Sequence, residues 1–239
     1  MILPRVMGHR GAAGYAPENT LASMQTAARL GVRWVEFDVH LSSDRVPVLL
    51  HDDTLDRTTD GTGPVDGLTA AGLSGLDAGQ WFSDAFTGEA LPTLAETIQL
   101  LGSLGMGANV EIKPSPGRES ETGSVVARML REQWPSALPP PMVSSFKTIS
   151  LAAAREAAPN IARALLVPKI GRNWDQDMRD LGCAALHCGH KRLSASDAEQ
   201  VRRAGYPLNV YTVNERPRAD TLFSWGVGSI ISDHPDRLM

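Results

Sequence analysis

Cysteine is almost missing from this sequence: of 239 residues, only Cys183 and Cys188 carry thiols. Two cysteines are too few to frame a chain of this length with disulfides, and they read as buried thiols. Long apolar runs are missing as well. None approaches the roughly 20 residues that cross a bilayer, so no membrane span is expected. The amino-terminal stretch MILPRVMGHRG offers neither an apolar segment of signal-peptide length nor a small-residue cleavage site, which makes the cytoplasm the expected location. There is no basic excess: the formal net charge is -4 and the isoelectric point about 5.9. Nucleic-acid surfaces carry positive charge, so no nucleic-acid partner is expected, although a local positive pocket is compatible with this balance.

Three motifs are also lacking. No Gly-rich dinucleotide fingerprint opens a helix, no GxSxG elbow surrounds Ser144 and Ser145, and no second ligand group accompanies His187, Cys188 and His190. A dinucleotide cofactor, a serine nucleophile and a zinc cluster are set aside on those grounds.

What is present is a repeated alternation. With 42% hydrophobic and 21% charged residues, the chain has the balance of one globular domain over residues 1–239. Short runs of branched apolar residues alternate with longer helical patterns, the signature of βα units. Expected strands run Arg5 to His9, Trp34 to Leu41, Ala108 to Lys113, Met142 to Phe146, Ile161 to Val167, Ala184 to Cys188, Pro207 to Val213 and Ser229 to Asp233. Helices are expected at Asn19 to Leu30, Thr93 to Leu104, Thr122 to Gln133, Ile149 to Ala157 and Ser194 to Ala204, the last opened by Ser194 with Asp197. Eight strands in this length favour an α/β fold of the closed (β/α)8 TIM-barrel type, with an open flavodoxin-like sheet as second choice. One interval breaks the pattern. VPVLLHDD reads as an extra strand hairpinned onto the second, followed by a Gly-, Asp-, Thr- and Pro-rich insertion at about residues 52–92. Such excursions belong on the catalytic rim of a barrel. Trp81 and Phe82 within it read either as a lid or, with more weight, as the segment's own core.

Chemistry concentrates at strand ends. Glu36 and Asp38 are two apart, so a strand's period of two puts both carboxylates on one face and Val35, Phe37 and Val39 on the other. Asn109, Glu111 and Lys113 repeat that arrangement one strand later. Several carboxylates in one partly buried site are costly unless a positive group holds them. A divalent cation with hard oxygen ligands does so, and a salt-bridge network with Arg10 and Lys113 is an equally weighted alternative on spacing alone. His9 and His51 close their strands on the same rim, where two imidazoles can divide base and acid duties. Arg10 could clamp a phosphate through its planar fork and Lys113 could add a point charge.

In order along the chain, H9-R-G, P17-E-N-T20, E36-F-D38, H51-D52 followed by DRTTDGTG, and E111-I-K113 strongly resemble the glycerophosphodiester phosphodiesterases of bacteria. LDAGQWF, ALPTL, SSF, VYTVN and SDHPD extend the resemblance over nearly the whole chain. It implies metal-dependent hydrolysis of a small glycerophosphodiester to glycerol 3-phosphate and an alcohol. The resemblance further implies that Glu36, Asp38 and Glu111 ligate one divalent cation, Mg²⁺ or Ca²⁺ with Mn²⁺ as a third candidate. His9 and His51 would be the acid-base pair, and Arg10 and Lys113 would lie near the phosphate. Glu18 and Asn19 of the PENT motif would support these groups, with Asn19 also a helix cap. Tyr211 stands where many relatives carry tryptophan. No serine or cysteine sits in a nucleophile motif, so the attacking oxygen is expected from water or from the substrate. A lysophospholipase D-like phosphodiesterase and a non-catalytic barrel that binds a ligand remain as alternatives, and the sequence leaves the oligomeric state open.

Overall fold

A computed structural model describes residues 3–239 of the chain. Its strands are β1 (Val6–His9), β2 (Trp34–Leu41), β3 (Pro47–Leu49), β4 (Gly107–Ile112), β5 (Met142–Ser145), β6 (Ala162–Val167), β7 (Ala185–Gly189), β8 (Leu208–Tyr211) and β9 (Ser229–Ser232). The helices are α1 (Leu21–Arg29), α2 (Ala70–Leu73), α3 (Leu94–Leu104), α4 (Glu119–Gln133), α5 (Thr148–Ala157), α6 (Trp174–Leu181), α7 (Ala195–Arg203) and α8 (Arg216–Ser224). Eight strands pair in parallel, in the order β1-β9-β8-β7-β6-β5-β4-β2, and a β1–β2 pairing closes the ring. This is a TIM barrel, as the alternation of strands and helices predicts.

The antiparallel strand β3 is placed by a difference in length. β1 pairs with the start of β2, at Val35 and Glu36, and then stops. On that same edge β3 takes over opposite Val39, His40 and Leu41. The carbonyls of Glu36 and Asp38 accordingly accept from Gly11 and Leu50 on one side, while that of Val39 accepts from Lys113 on the other. β3 therefore delivers His51 to the rim where His9 ends β1.

Side chains sort by strand alternation. Val35, Phe37 and Val39 of β2 pack outward with Met24 of α1, Ile98 of α3 and Val126 of α4 in one large apolar layer. A second layer joins α6, α7 and α8 to β7, β8 and β9 through Met178, Val201, Leu222, Leu186, Val210 and Ile230. Inside the barrel, Trp34 fills the floor with Met7 and Ile231. A Cβ at Gly107 would come within 2.3 Å of the Trp34 ring, so the glycine is what lets that indole lie across the axis. The insertion has its own aliphatic core of Leu55, Val65, Leu73, Ala78 and Leu91, set against Val48 and Leu50. Trp81 is not in it. It is 41% exposed, edge-on to Phe82, which in turn meets Phe86 edge-on.

Helix boundaries follow their caps. α3 begins after Thr93, whose hydroxyl and Glu96 form a capping box, and α7 begins after Ser194 in the same way with Asp197. α1 begins after Thr20, whose hydroxyl accepts from the Ser23 amide, so the capping role expected of Asn19 belongs to its neighbour.

One packing contact limits the sequence sharply. Gly123 of α4 faces the backbone of α5, and a Cβ there would lie 2.3 Å from the Ser150 carbonyl oxygen. Alanine is the better helix former by about 1 kcal/mol, yet it has no room. We expect Gly123→Ala to destabilise the fold by about 1–3 kcal/mol, visible as a lower melting temperature; an unchanged or raised melting temperature would show that α4 and α5 can separate freely.

Candidate functional site

β2 and β4 lie side by side with Glu36 opposite Asn109 and Asp38 opposite Glu111. All four face the barrel axis, because their outward neighbours are the apolar residues of the helix layer. Glu36, Asp38 and Glu111 each present a carboxylate oxygen, and the three oxygens lie within 4.8 Å of one another. Glu36 and Asp38 are almost fully buried. Two cations stand beside them: Arg10 Nε is 3.3 Å from Asp38 Oδ2, and Lys113 Nζ is 3.7 Å from Glu111 Oε1 and 3.9 Å from Asp38 Oδ1.

The titration of the cluster reports its crowding. Burial, then Asp38, then Lys113 acting in opposition set Glu111, and the balance pushes it up to about 8. Glu36 is held well above the usual carboxylate range by burial first, and next by Asp38 and Glu111. Asp38 goes the other way. Burial would raise it, but Arg10, Lys113 and His51 together hold it below the ordinary value. Asn19 contributes to the same end by donating to Asp38 Oδ2 at 2.9 Å while accepting from the Asp38 amide at 3.1 Å. Arg10 and Asn19 both adopt positive φ, 49° and 58°. Such backbone is uncommon outside glycine and is held here by the contacts around it.

Each histidine has its own carboxylate. His9 Nδ1 donates to Asp233 Oδ1 at 2.6 Å; a carboxylate only accepts, so the Nδ1 proton is fixed and Nε2, 3.9 Å from Glu36 Oε2, faces the site. Asn214 orients Asp233 by donating to its other oxygen at 2.7 Å and accepting from its amide at 2.9 Å. His51 Nδ1 donates to Asp52 Oδ1 at 2.6 Å. Burial first, and then Arg10 against the pull of Asp38, leaves the His51 ring below its ordinary value, hence neutral near pH 7.

A chain of ion pairs joins the two halves of the rim. Asp52 accepts from Arg57 at 2.6 Å; Arg57 also grips Glu18 through two nitrogens at 2.8 and 2.9 Å; and Glu18 accepts from Arg10 at 2.6 Å. Glu18, though partly buried, is held low because the hydrogen bond from Arg57 and the Arg10 charge outweigh its desolvation.

His9, Arg10, Glu36, His51 and Glu111 line one cavity of about 130 Å³, walled on the far side by Phe146, Leu166 and Tyr211. Lys113 borders it in the adjoining pocket. The nine residues singled out in the sequence thus fall on one rim. Four contributors escape sequence reasoning: Asp52, Arg57, Asn214 and Asp233. HD, DRTT, VYTVN and SDHPD were visible as motifs, but nothing local to them says which histidine or glutamate each will meet.

The residues set aside separate as alternation requires. His187 points into the barrel toward Asn209, Cys188 lies in the outer apolar layer, and His190 is held at the surface by Arg218. They do not converge. Ser144 accepts from Asn109, and Ser145 donates to the Ile112 carbonyl.

Three oxygen donors, two of them buried and Glu111 partly so, and two of the three with raised proton affinity, fit a hard divalent cation, which would replace the protons that crowding retains. The linkage to stability has a definite sign. Carboxyls whose folded value is raised stabilise below the unfolded value of 4.5, and that contribution is lost as pH rises through about 8. His40, His51, His187 and His190 are lowered, so their contribution grows with pH and levels off above the unfolded value of 6.5. Between pH 6.5 and 8, therefore, the metal-free protein should lose melting temperature, and Mg²⁺ or Ca²⁺ should flatten the decline. A metal-free melting temperature that is level or rising across that interval contradicts this electrostatic picture.

The chain is similar to known proteins along nearly its whole length. Residues 9–237 match the model of the glycerophosphoryl diester phosphodiesterase family. YhdW of Bacillus subtilis is 34% identical over 237 residues, covering 97% of this chain and 95% of the relative. The glycerophosphodiester phosphodiesterase of Caldanaerobacter subterraneus subsp. tengcongensis is 32% identical over 239 residues, covering 98% and 96%. An Oleispira antarctica phosphodiesterase, solved in complex with the product sn-glycerol-3-phosphate, superposes with a TM-score of 0.96 at 40% identity, covering 99% of this chain and 95% of that one.

Proposed function

Since this chain belongs to the glycerophosphoryl diester phosphodiesterase family, we propose that it hydrolyses glycerophosphodiesters to glycerol 3-phosphate and an alcohol, using one divalent cation and two histidines. The observation that supports this most is the convergence of Glu36, Asp38 and Glu111 between two imidazoles that each have a fixed tautomer. The three carboxylates would hold Mg²⁺ or Ca²⁺, or Mn²⁺, through oxygen alone. Such an ion, when bound, supplies Lewis-acid stabilisation of charge on the phosphoryl oxygens.

The remaining duties fall to the protein's own groups. Arg10 keeps its charge at any accessible pH, since Asp38, Glu18 and Glu36 outweigh the desolvation that opposes it. It and Lys113 bracket the cavity and would orient the phosphodiester anion. His51 is neutral near pH 7 and has Nε2 free, so it takes the proton from the attacking oxygen. His9, in the form protonated on both nitrogens with Nδ1–H held on Asp233, gives the Nε2 proton to the departing alcohol. The P–O bond to the alcohol breaks as the new P–O bond forms; His51 then gives up its proton to solvent and His9 regains one, so both rings return to their starting forms before the next turnover. Asp52 and Asp233 make no contact with the phosphate in this scheme. They hold the rings and stabilise their protonated forms.

The direct test is to incubate purified protein with glycerophosphocholine, glycerophosphoethanolamine and a lysolipid, and to quantify glycerol 3-phosphate from the two diesters and lysophosphatidic acid from the lysolipid. Release from the two small diesters is expected to disappear after chelation and to return with Mg²⁺, Mn²⁺ or Ca²⁺. Release from the lysolipid alone would favour a lysophospholipase D-like enzyme, and none with any metal would favour a ligand-binding barrel.

His9→Ala and His51→Ala are each expected to lower kcat by about 10²-fold or more with little change in KM. A raised KM at unchanged kcat would assign that histidine to binding instead.

A further inference from the structure

Phe146 stands where two openings meet on the carboxyl-terminal rim. On one side a pocket of about 210 Å³ runs past Lys113, Glu119 and Ser145. On the other, a groove of about 530 Å³ runs between the loops after β6 and β7, past Pro168 and Tyr211. Both share walls with the cavity that holds the histidines, the first through Glu111 and Phe146, the second through Phe146, Tyr211 and Thr212. A phosphodiester centred in that cavity has two arms, and there are two openings to receive them. The glycerol arm is short and rich in hydroxyls, which suits the small pocket with its charged walls. The larger groove is left for the alcohol.

That groove has an aromatic floor and a basic wall. The Tyr211 hydroxyl donates to the Val167 carbonyl at 2.8 Å, and its ring meets Phe146 edge-on at 6.0 Å, so the floor is fixed. The wall is a single tight turn, His190–Arg192, fastened by Arg218, which donates to the His190 carbonyl. Lys191 and Arg192 are exposed, and among the described residues neither has a carboxylate within 4.0 Å. No aspartate or glutamate lines the groove. A trimethylammonium alcohol would meet two uncompensated cations there, whereas an alcohol with its own negative group would meet their complement.

We propose that this groove is the alcohol subsite and that Lys191 and Arg192 select diesters whose alcohol carries a second phosphate group. The proposal rests on the hydrolytic reading above and names the substrate class of that site.

The matched probes are glycerophosphoinositol and glycerophosphoinositol 4-phosphate, compared at low salt with Mg²⁺ present, in the wild type and in the Lys191→Ala/Arg192→Ala double variant. The wild type is expected to show kcat/KM about tenfold higher for the phosphorylated alcohol, the size that two exposed ion pairs can supply. The double variant should bring the two substrates within about twofold while turning over glycerophosphoinositol as the wild type does. Salt near 1 M, where the screening length is about 3 Å, should erase the preference in the wild type as well. Equal turnover of the two diesters by the wild type, or a preference that survives the double substitution, overturns the subsite and leaves the hydrolytic activity standing. No turnover of either inositol diester overturns the subsite, and the hydrolytic reading falls with it only if glycerophosphocholine and glycerophosphoethanolamine are not cleaved either.

Discussion

The site depends on one unfavourable contact: three carboxylates gathered in a buried space where their charges repel. Two unit charges about 4 Å apart interact by about 4 kcal/mol at an effective dielectric of 20, so Glu36, Asp38 and Glu111 cannot all ionise there unaided. The protein offers Arg10 and Lys113 at 3.3 to 3.9 Å from their oxygens, and Asp38 is the carboxylate that benefits. Glu36 and Glu111 keep elevated proton affinity. The arrangement is a poor way to stabilise a fold and a good way to prepare a cation site, since one divalent ion relieves the repulsion among all three carboxylates at once, in exchange for the protons it must displace.

Around that contact the structure builds a rigid frame from ordinary parts. Apolar residues on the outward face of β2 hold the strand against α1, α3 and α4, and the inward carboxylates have no freedom to turn away. The insertion contributes more than cover. Arg57 spans Asp52 and Glu18, so the orientation of His51 and the position of Arg10 are set by one guanidinium. His9 draws its support from the opposite end of the chain, through Asp233 and Asn214. Each of the two histidines therefore relies on a separate anchor, and the two anchors come from different parts of the barrel.

The acid cluster was legible in the sequence because its rule is local. Residues two apart on a strand share a face, which is enough to pair Glu36 with Asp38 and Asn109 with Glu111. The same rule explains why His187, Cys188 and His190 disperse. Contacts that depend on closure were not legible: His9 and Asp233 lie 224 positions apart and meet because β9 pairs with β1. Local propensity also gave way to tertiary demand. Asn19 is a fair helix cap by type, but Asp38 engages both ends of its amide, and Thr20 caps the helix instead. The insertion's core proved aliphatic, with Trp81 exposed beside Phe82, because Leu55, Val65, Leu73 and Leu91 already fill the space beneath β3.

The account turns on a cation occupying the point between Glu36, Asp38 and Glu111. The most direct measurement is an anomalous difference map from crystals grown with Mn²⁺. The account predicts one strong peak within about 2.0–2.6 Å of an oxygen from each of the three carboxylates, the range for hard divalent ions. A peak confined to the surface, or a site in which Lys113 and Arg10 close onto the carboxylates with no ion between them, would contradict it.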